Sequence, residues 1–355
     1  MPRKMKIVLT AIVTALCLVL LNLLWMNIYR YETVQPWSAS YDRIKSTVPE
    51  DVDTTEISSN VQLPKVLQTT NKAEYPLPNC HQLDVEIEYT NCHLQDFTIM
   101  PNKSATEVYI YFAFELPTEQ SSFIGPVLST TKYALTRWTL DDAALKLEVA
   151  HFYDYFEFPG KGISVDYATQ QVFIINHESL TDRPSVLEVD ADTLVPKHEL
   201  VMSRSGAADT LNNYAFDDDA ESYFVAQKVD EKIINDNAHR SLSTPAELTL
   251  YRGKFDAERA EFKAVRKLKF TDDTVPESLQ IDNDNAFIMT DQFIIRLPSS
   301  KYVGDGNDDA KSSVELLKFS DPEINTALVR FQHFKDGFYA ISRDAQKLLY
   351  YRYDY

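Results

Sequence analysis

Glycine is scarce in this 355-residue chain, which holds only 8. A phosphate-cradling glycine loop and a Gly-x-Ser-x-Gly nucleophile elbow need glycines at fixed spacing, and neither pattern occurs. Cysteine is scarcer still. Three residues with no CxxC pair exclude a zinc ribbon and a disulfide-dense scaffold. The 7 histidines are scattered and include no His-Glu-x-x-His. Positive charge is also short, with 35 basic against 53 acidic residues and a net charge of −18. Residues 1–30 hold four basic side chains and no acid, so the rest of the chain carries −22. That excess disfavours nucleic acid and anionic lipid as partners of the larger part, since both bind through basic patches. With so little glycine, Asp and Asn must build many of the turns, which they do by bonding their own backbone and tolerating left-handed conformations.

What the chain does have begins with a long apolar run. Residues 7–29 are 23 consecutive side chains without a charge, enough for a helix across the roughly 30 Å hydrocarbon core of a bilayer. Trp25 and Tyr29 stand near its far end, where amphipathic rings favour the headgroup zone. Arg3, Lys4 and Lys6 precede the run and Arg30 alone directly follows it, which orients the N-terminus to the cytoplasm. The expectation is an uncleaved single-pass anchor with residues 31–355 periplasmic, extracellular or lumenal. A cleaved signal peptide has an apolar region of only about 7–15 residues. The nearest small-residue site, Ser38-Ala39-Ser40, also lies well beyond the run. A core helix of a soluble domain would find so long an uncharged run hard to bury.

Residues 31–79 read as a stalk or linker. They show no sustained period of 2 or 3.6 and are punctuated by Pro36, Pro49, Pro64, Pro76 and Pro78. Residues 80–355 then make the external domain. Cys17 lies in the apolar run, leaving Cys80 and Cys92 in the near-repeat Asn79-Cys80-His81 and Asn91-Cys92-His93. Outside the cytoplasm the pair reads most simply as a disulfide. A metal site from Cys80, His81, Cys92 and His93 is the alternative, although adjacent side chains on a strand point to opposite faces and chelate poorly.

Beyond residue 80 a pattern recurs: an apolar-x-apolar strand, a polar turn, then a more hydrophobic strand. It occurs at residues 163–175, 214–225 and 279–289, and more loosely at 97–112 and 338–351. Counted from Ile99, Val165, Phe216, Ile281 and Ala340, the spacings are 66, 51, 65 and 59 residues. Two further strand-like runs follow most units, as at 185–189 with 199–201 and at 246–251 with 267–270. Four short strands repeated about five times is the logic of a β-propeller. The chain resembles the β-propeller superfamily in this strand pattern, over roughly residues 82–355, with no WD, kelch or Asp-box motif. The resemblance implies an all-β fold of five four-stranded blades after one transmembrane helix. It also implies that an N-terminal strand completes the last blade, and residues 83–89 have the alternation for it. A pair of β-sandwiches is the competing architecture. Residues 256–269 read equally as a helix or a strand pair.

The acidic clusters Asp217-Asp218-Asp219 and Asp282-Asn283-Asp284-Asn285 fall at the same turn of equivalent repeats, as does Asp166. Turn chemistry accounts for them without a ligand. Some five-bladed propellers are glycosidases, and on that reading Asp166, Asp217 and Asp282 are the first candidate acids. Asp305, Asn307, Asp308 and Asp309 are a weak candidate Ca²⁺ site, because Ala310 and Leu316 stand where an EF-hand needs Gly and Glu. A type II membrane glycosyltransferase would use Asp217-Asp218-Asp219 as an Asp-x-Asp motif, but no βαβ rhythm accompanies it. The functional expectation is a membrane-anchored recognition or scaffold protein that binds a protein or glycan partner, with no cofactor; a glycan-processing enzyme is the alternative.

The cysteine reading is directly testable. Mass spectrometry of the unreduced protein should find Cys80 and Cys92 linked, about two mass units lighter than the reduced form. Cys80→Ala should cost roughly 2–4 kcal/mol in chemical denaturation. Free thiols at both positions would refute the pairing.

Overall fold

The computed structural model describes residues 13–21, 43–47, 52, 54–58, 63–83, 92–102, 104, 107–118, 130–141, 144–153, 160–167, 169–176, 185–202, 209–216, 221–228, 247–255, 260–270, 276–282, 285–290, 292–298, 314–331 and 337–353. The chain divides into two units, Met1–Ala39 and Ser40–Tyr355. In the first, residues 13–21 are helical, and Leu16, Leu18, Leu20 and their apolar neighbours are exposed. Among the described residues no helix is long and apolar enough to cross a membrane, and the rest of the 7–29 run lies outside them.

The second unit opens with strands β1 (Arg43–Thr47), β2 (Thr54–Ile57), β3 (Lys65–Leu67) and β4 (Thr69–Pro76). Four antiparallel sheets then follow in chain order. Blade 1 comprises β5 (His93–Pro101), β6 (Val108–Thr118), β7 (Thr130–Asp141) and β8 (Ala144–Tyr153). Blade 2 comprises β9 (Gly160–Asp166), β10 (Gln171–Asn176), β11 (Ser185–Asp190) and β12 (Pro196–Met202). Blade 3 comprises β13 (Asp209–Phe216), β14 (Glu221–Lys228), β15 (Glu247–Phe255) and β16 (Ala260–Phe270). Blade 4 comprises β17 (Pro276–Asp282), β18 (Asn285–Thr290), β19 (Ile294–Pro298) and β20 (Glu315–Phe319). The last blade joins β21 (Ile324–Phe331), β22 (Gly337–Ser342) and β23 (Lys347–Tyr353) to β4, which pairs antiparallel with β23. The first strands β5, β9, β13, β17 and β21 touch one another in a closed ring, β21 meeting β5 again. This is a five-bladed β-propeller.

The second strands β18 and β22 are strongly apolar because both of their faces are buried. In β18, Ala286 and Ile288 pack in one cluster with Leu248, Leu250 and Leu268 of blade 3. The alternate side chains Phe287 and Met289 pack with Phe331 and Phe338 of blade 5. In β22, Phe338 and Ala340 belong to that same cluster, while Tyr339 and Ile341 pack against Ile110, Phe112 and Trp138 of blade 1. Period-2 alternation thus survives, but it sorts neighbours rather than separating core from water. Stacked rings contribute, with Phe287 and Phe331 centroids 4.0 Å apart at 17°. Gly337 opens β22 where a Cβ would lie 2.6 Å from the Tyr351 carbonyl oxygen and from the Tyr350 ring.

Two expectations are corrected and one open reading is decided. The strand that completes blade 5 is β4, at Thr69–Pro76, and not residues 83–89; Leu83 instead ends a 3-10 turn at Cys80–Leu83 and is buried against blade 1. The loosely matching unit at 338–351 holds the second and third strands of blade 5, whose innermost strand is β21. Residues 260–270 are strand, which decides the helix-or-strand ambiguity.

The segment read as a stalk also supplies strands to the outer edges of the blades. Strand β1 pairs parallel with β12 and with β16, bridging blades 2 and 3 into one sheet of ten strands. Strand β2 continues along β16, and β3 pairs parallel with β20 of blade 4. These strands pair through backbone hydrogen bonds; Ile57 on β2 is fully buried, whereas Val66 on β3 is mostly exposed. Cys92 is disulfide-bonded and Cys17 is free, while the side chain of Cys80 lies outside the described residues.

At the axis one ion pair joins the ends of the ring. Arg330 on β21 donates from Nη2 to Asp96 Oδ1 on β5 over 2.6 Å, with side chains only 3% and 7% exposed. Asp96 Oδ1 also accepts the Phe97 amide at 2.7 Å, and its Oδ2 accepts the Ile163 amide of blade 2 at 2.9 Å. Burial pushes the Asp96 carboxyl up, and Arg330 and the two amides oppose that rise. Gln280 on β17 makes a two-way bridge to β21, donating to the Phe331 carbonyl at 2.6 Å and accepting its amide at 2.8 Å. Arg330→Met should therefore strand a buried carboxylate and cost about 3–5 kcal/mol in denaturant unfolding. The double variant Asp96→Leu/Arg330→Met should recover much of that loss, and a single-variant cost under about 1 kcal/mol would show the pair to be dispensable.

Candidate functional site

The strand 1–2 and 3–4 turns of the blades share one rim, because antiparallel neighbours reverse direction at each turn. Between blades 1 and 2 this rim opens into a cleft of about 520 Å³, within the range that takes small ligands. Its walls come from the β5–β6 connection, the β9–β10 turn and the β11–β12 turn.

Arg137 organises the wall on blade 1. It lies opposite Tyr111 in the β6–β7 register, and its guanidinium carbon sits 4.8 Å from the centre of the Tyr109 ring. Its Nη1 donates 2.8 Å bonds to the Ala191 carbonyl and to Asp192 Oδ1 of blade 2. Its Nε is 3.2 Å from Glu148 Oε2, an ion pair by distance, although the Nε hydrogen has no aligned acceptor. Burial works against the Arg137 charge, but Asp192, Tyr111 and Glu148 outweigh it and hold the group above its ordinary value. Burial in turn pushes the Tyr111 hydroxyl well above the usual phenol range. Tyr153 completes the clasp by donating to the Leu194 carbonyl at 2.6 Å.

The β11–β12 turn is shaped by its own acid. Asp190 Oδ1 accepts the amides of Asp192 and Thr193 at 3.0 and 2.8 Å and the Thr193 hydroxyl at 3.0 Å. Four residues on, Leu194 takes a left-handed φ of 60°. The β9–β10 turn repeats the device. Asp166 accepts the Thr169 amide and hydroxyl at 3.3 and 2.6 Å, and Gln170 has φ 55°. Aspartate therefore builds these turns, as the glycine shortage implies, but by capping a turn whose left-handed position falls on another residue at about 1–2 kcal/mol.

Among the expected site residues, Asp166 is 4% exposed and occupied by this turn chemistry at the edge of the cleft. Asp282 ends β17 opposite Asn285, and its side chain lies outside the described residues. Asp217, Asp305, Asn307, Asp308 and Asp309 also lie outside them. Strands β9, β13 and β17, which lead into the three acidic turns, are consecutive in the inner ring. No group of three His, Cys, Asp or Glu side chains among the described residues could hold a metal. Arg137, Tyr109, Asp190 and Asp192 were not singled out in the sequence. The one local signal was Asp190-Ala-Asp-Thr193, which shares with Asp166-Tyr-Ala-Thr169 a threonine three residues after the aspartate.

No known protein family and no curated protein matches this chain. Solved structures of similar shape exist at very low identity. Hydrazine synthase of Kuenenia stuttgartiensis is 11% identical with a TM-score of 0.39, covering 72% of this chain and 82% of that one. The β-propeller domain of Myceliophteria thermophila Cps50 (Swd1) is 6% identical with a TM-score of 0.34, covering 73% and 83%. Raptor from Chaetomium thermophilum is 10% identical with a TM-score of 0.35, covering 81% of this chain and 30% of its own. The propeller assignment rests on the strand pairing itself.

Lys197, 2.9 Å from Asp190, and the turn amides hold the Asp190 carboxyl well below the usual carboxylate range. A carboxyl depressed by folding adds stability that is present above its unfolded pKa of about 3.9 and is lost as pH falls below that toward the folded value. Thermal melts over that acid window should show a steeper loss for the wild type than for Asp190→Asn. Parallel curves would show that the turn is indifferent to the charge.

Proposed function

We propose that this protein is a membrane-tethered recognition module. Residues 7–29 hold it in the bilayer, the propeller stands on the side away from the cytoplasm, and a protein or glycan partner binds at the rim. The observation that carries the reading is the cleft between blades 1 and 2, a preformed site of ligand size with aromatic and hydrogen-bonding walls. Its chemistry favours binding over hydrolysis. A glycosidase acid must keep its proton near neutral pH beside a second carboxyl about 5–10 Å away. Of the two carboxylates in this cleft, Asp190 is held far below that range and Asp192 is bonded to Arg137. Cys80 is the partner we assign to Cys92, since Cys17 is free and the chain has three cysteines.

The tether and the binding rim are tested together in cells. Carbonate-resistant membrane association should vanish on deleting residues 1–30. Protease added on the non-cytoplasmic side should digest the chain beyond about residue 31. A photo-reactive residue at Gln171 in the cleft should cross-link to partner material, whereas one at the exposed outer-strand position Lys318 should not. A protected C-terminal domain would overturn the topology. Equal labelling from the two sites would overturn the rim.

A further inference from the structure

We infer that the cleft between blades 1 and 2 takes a neutral, hydroxyl-rich ligand, namely a short saccharide, free or carried on a glycoprotein. This rests on the recognition reading above and gives it a ligand class. Among the described residues, each cation lining the cleft already faces a carboxylate, Arg137 with Asp192 at 2.8 Å and Lys197 with Asp190 at 2.9 Å. A phosphate or carboxylate would have to displace one of these partners, and a metal cation would have to displace a basic one. A neutral ligand displaces neither.

Asp192 gives Oδ1 to Arg137, while its side chain is 89% exposed, so Oδ2 is presented as an acceptor already fixed in direction. Gln170 donates its amide N–H to the Tyr167 carbonyl at 2.9 Å, which orients its Oε1 as a second fixed acceptor. Gln171 lines the same wall, half-buried at the start of β10, and brings both an amide donor and an acceptor. Pre-oriented acceptors of this kind recognise hydroxyl groups and discriminate strongly against analogues that lack them. Tyr109 lines the cleft with Arg137 over one face of its ring, 4.8 Å from the centroid, which leaves the opposite face as the one a ligand would stack on. The C–H face of a pyranose stacks on such a surface while its hydroxyls reach sideways to amides and carboxylate. Charge balance, amide acceptors and a braced tyrosine meet in one cavity of ligand size, and that juxtaposition points to a sugar.

The test uses the full chain in lipid nanodiscs, free of sugar-headed detergent. Chitotriose, cellotriose, maltotriose and mannotriose are each titrated by calorimetry with saturation-transfer NMR. A glycoprotein with and without enzymatic deglycosylation serves as a second arm that separates free from protein-borne sugar. At least one trisaccharide, or the glycosylated arm alone, should bind. Raising salt from low to physiological should leave Kd within about twofold, since a neutral ligand is not screened. Tyr109→Ala and Gln171→Ala should each weaken binding by about tenfold or more, corresponding to about 1.4 kcal/mol. Tyr109→Phe should retain binding, and the exposed Asp192→Asn gives a second readout should Tyr109→Ala fail to fold. If the folded protein binds no sugar in either arm, or binds one without sensitivity to Tyr109, Gln171 and Asp192, the inference is overturned. Binding only to an anionic ligand with strong salt dependence would overturn it too. Cross-linking from Gln171 to an unglycosylated protein would then leave the broader recognition reading standing.

Discussion

A closed ring of sheets must bind its last blade to its first, and here the contact that does so at the axis is the buried pair of Arg330 and Asp96, 234 residues apart. Two charges taken out of water are costly unless their remaining hydrogen-bonding groups are satisfied. The site meets that condition with backbone. Asp96 takes amides from its own strand and from β9, and a second Arg330 nitrogen donates to the Val329 carbonyl. One carboxylate thus ties three of the five inner strands, and Gln280 ties β17 to β21 beside it. At the perimeter the same closure is made differently, by β4 zipping along β23 through backbone hydrogen bonds.

Around that axis the blades are held mainly by apolar contact. Successive clusters fill the spaces between blades 3 and 4, 4 and 5, and 5 and 1. The interface between blades 1 and 2 also has a polar clasp at the rim. Arg137, Tyr111 and Tyr153 reach across to the carbonyls and carboxylate of the β11–β12 turn. Polar groups at a partly open seam leave room and unsatisfied geometry, which is why the large cleft lies there. The side chain that ties this seam together, Arg137, also lines the cleft.

The N-terminal segment gives the molecule a further layer. Strands β1, β2 and β3 run parallel to the outer strands of blades 2, 3 and 4 before β4 enters blade 5. An outer edge strand otherwise presents unpaired N–H and C=O groups, a template for unwanted association. Pairing those edges with β1, β2 and β3 satisfies their backbone groups.

Sequence alone determined the strand repeat, and the reason is burial. The second strands, such as 172–174 and 287–289, are buried on both faces, so their apolar runs stand out in any reading of the chain. It determined the turn chemistry as well, because eight glycines force aspartate into the turns, and Asp166 behaves as that constraint requires. Tertiary structure decided what depends on partners distant in the chain. Residues 69–76 complete blade 5 although residues 83–89 alternate more regularly, because register there is set by β23 and not by local pattern. The belt of β1 to β3 was illegible for a related reason: backbone pairing to a finished edge needs no apolar side chains, so it leaves no periodicity to read. The clasp at the cleft was hidden too, since nothing near Arg137 in the chain tells that Ala191 and Asp192 will meet it, a pairing that exists only once two blades stand side by side.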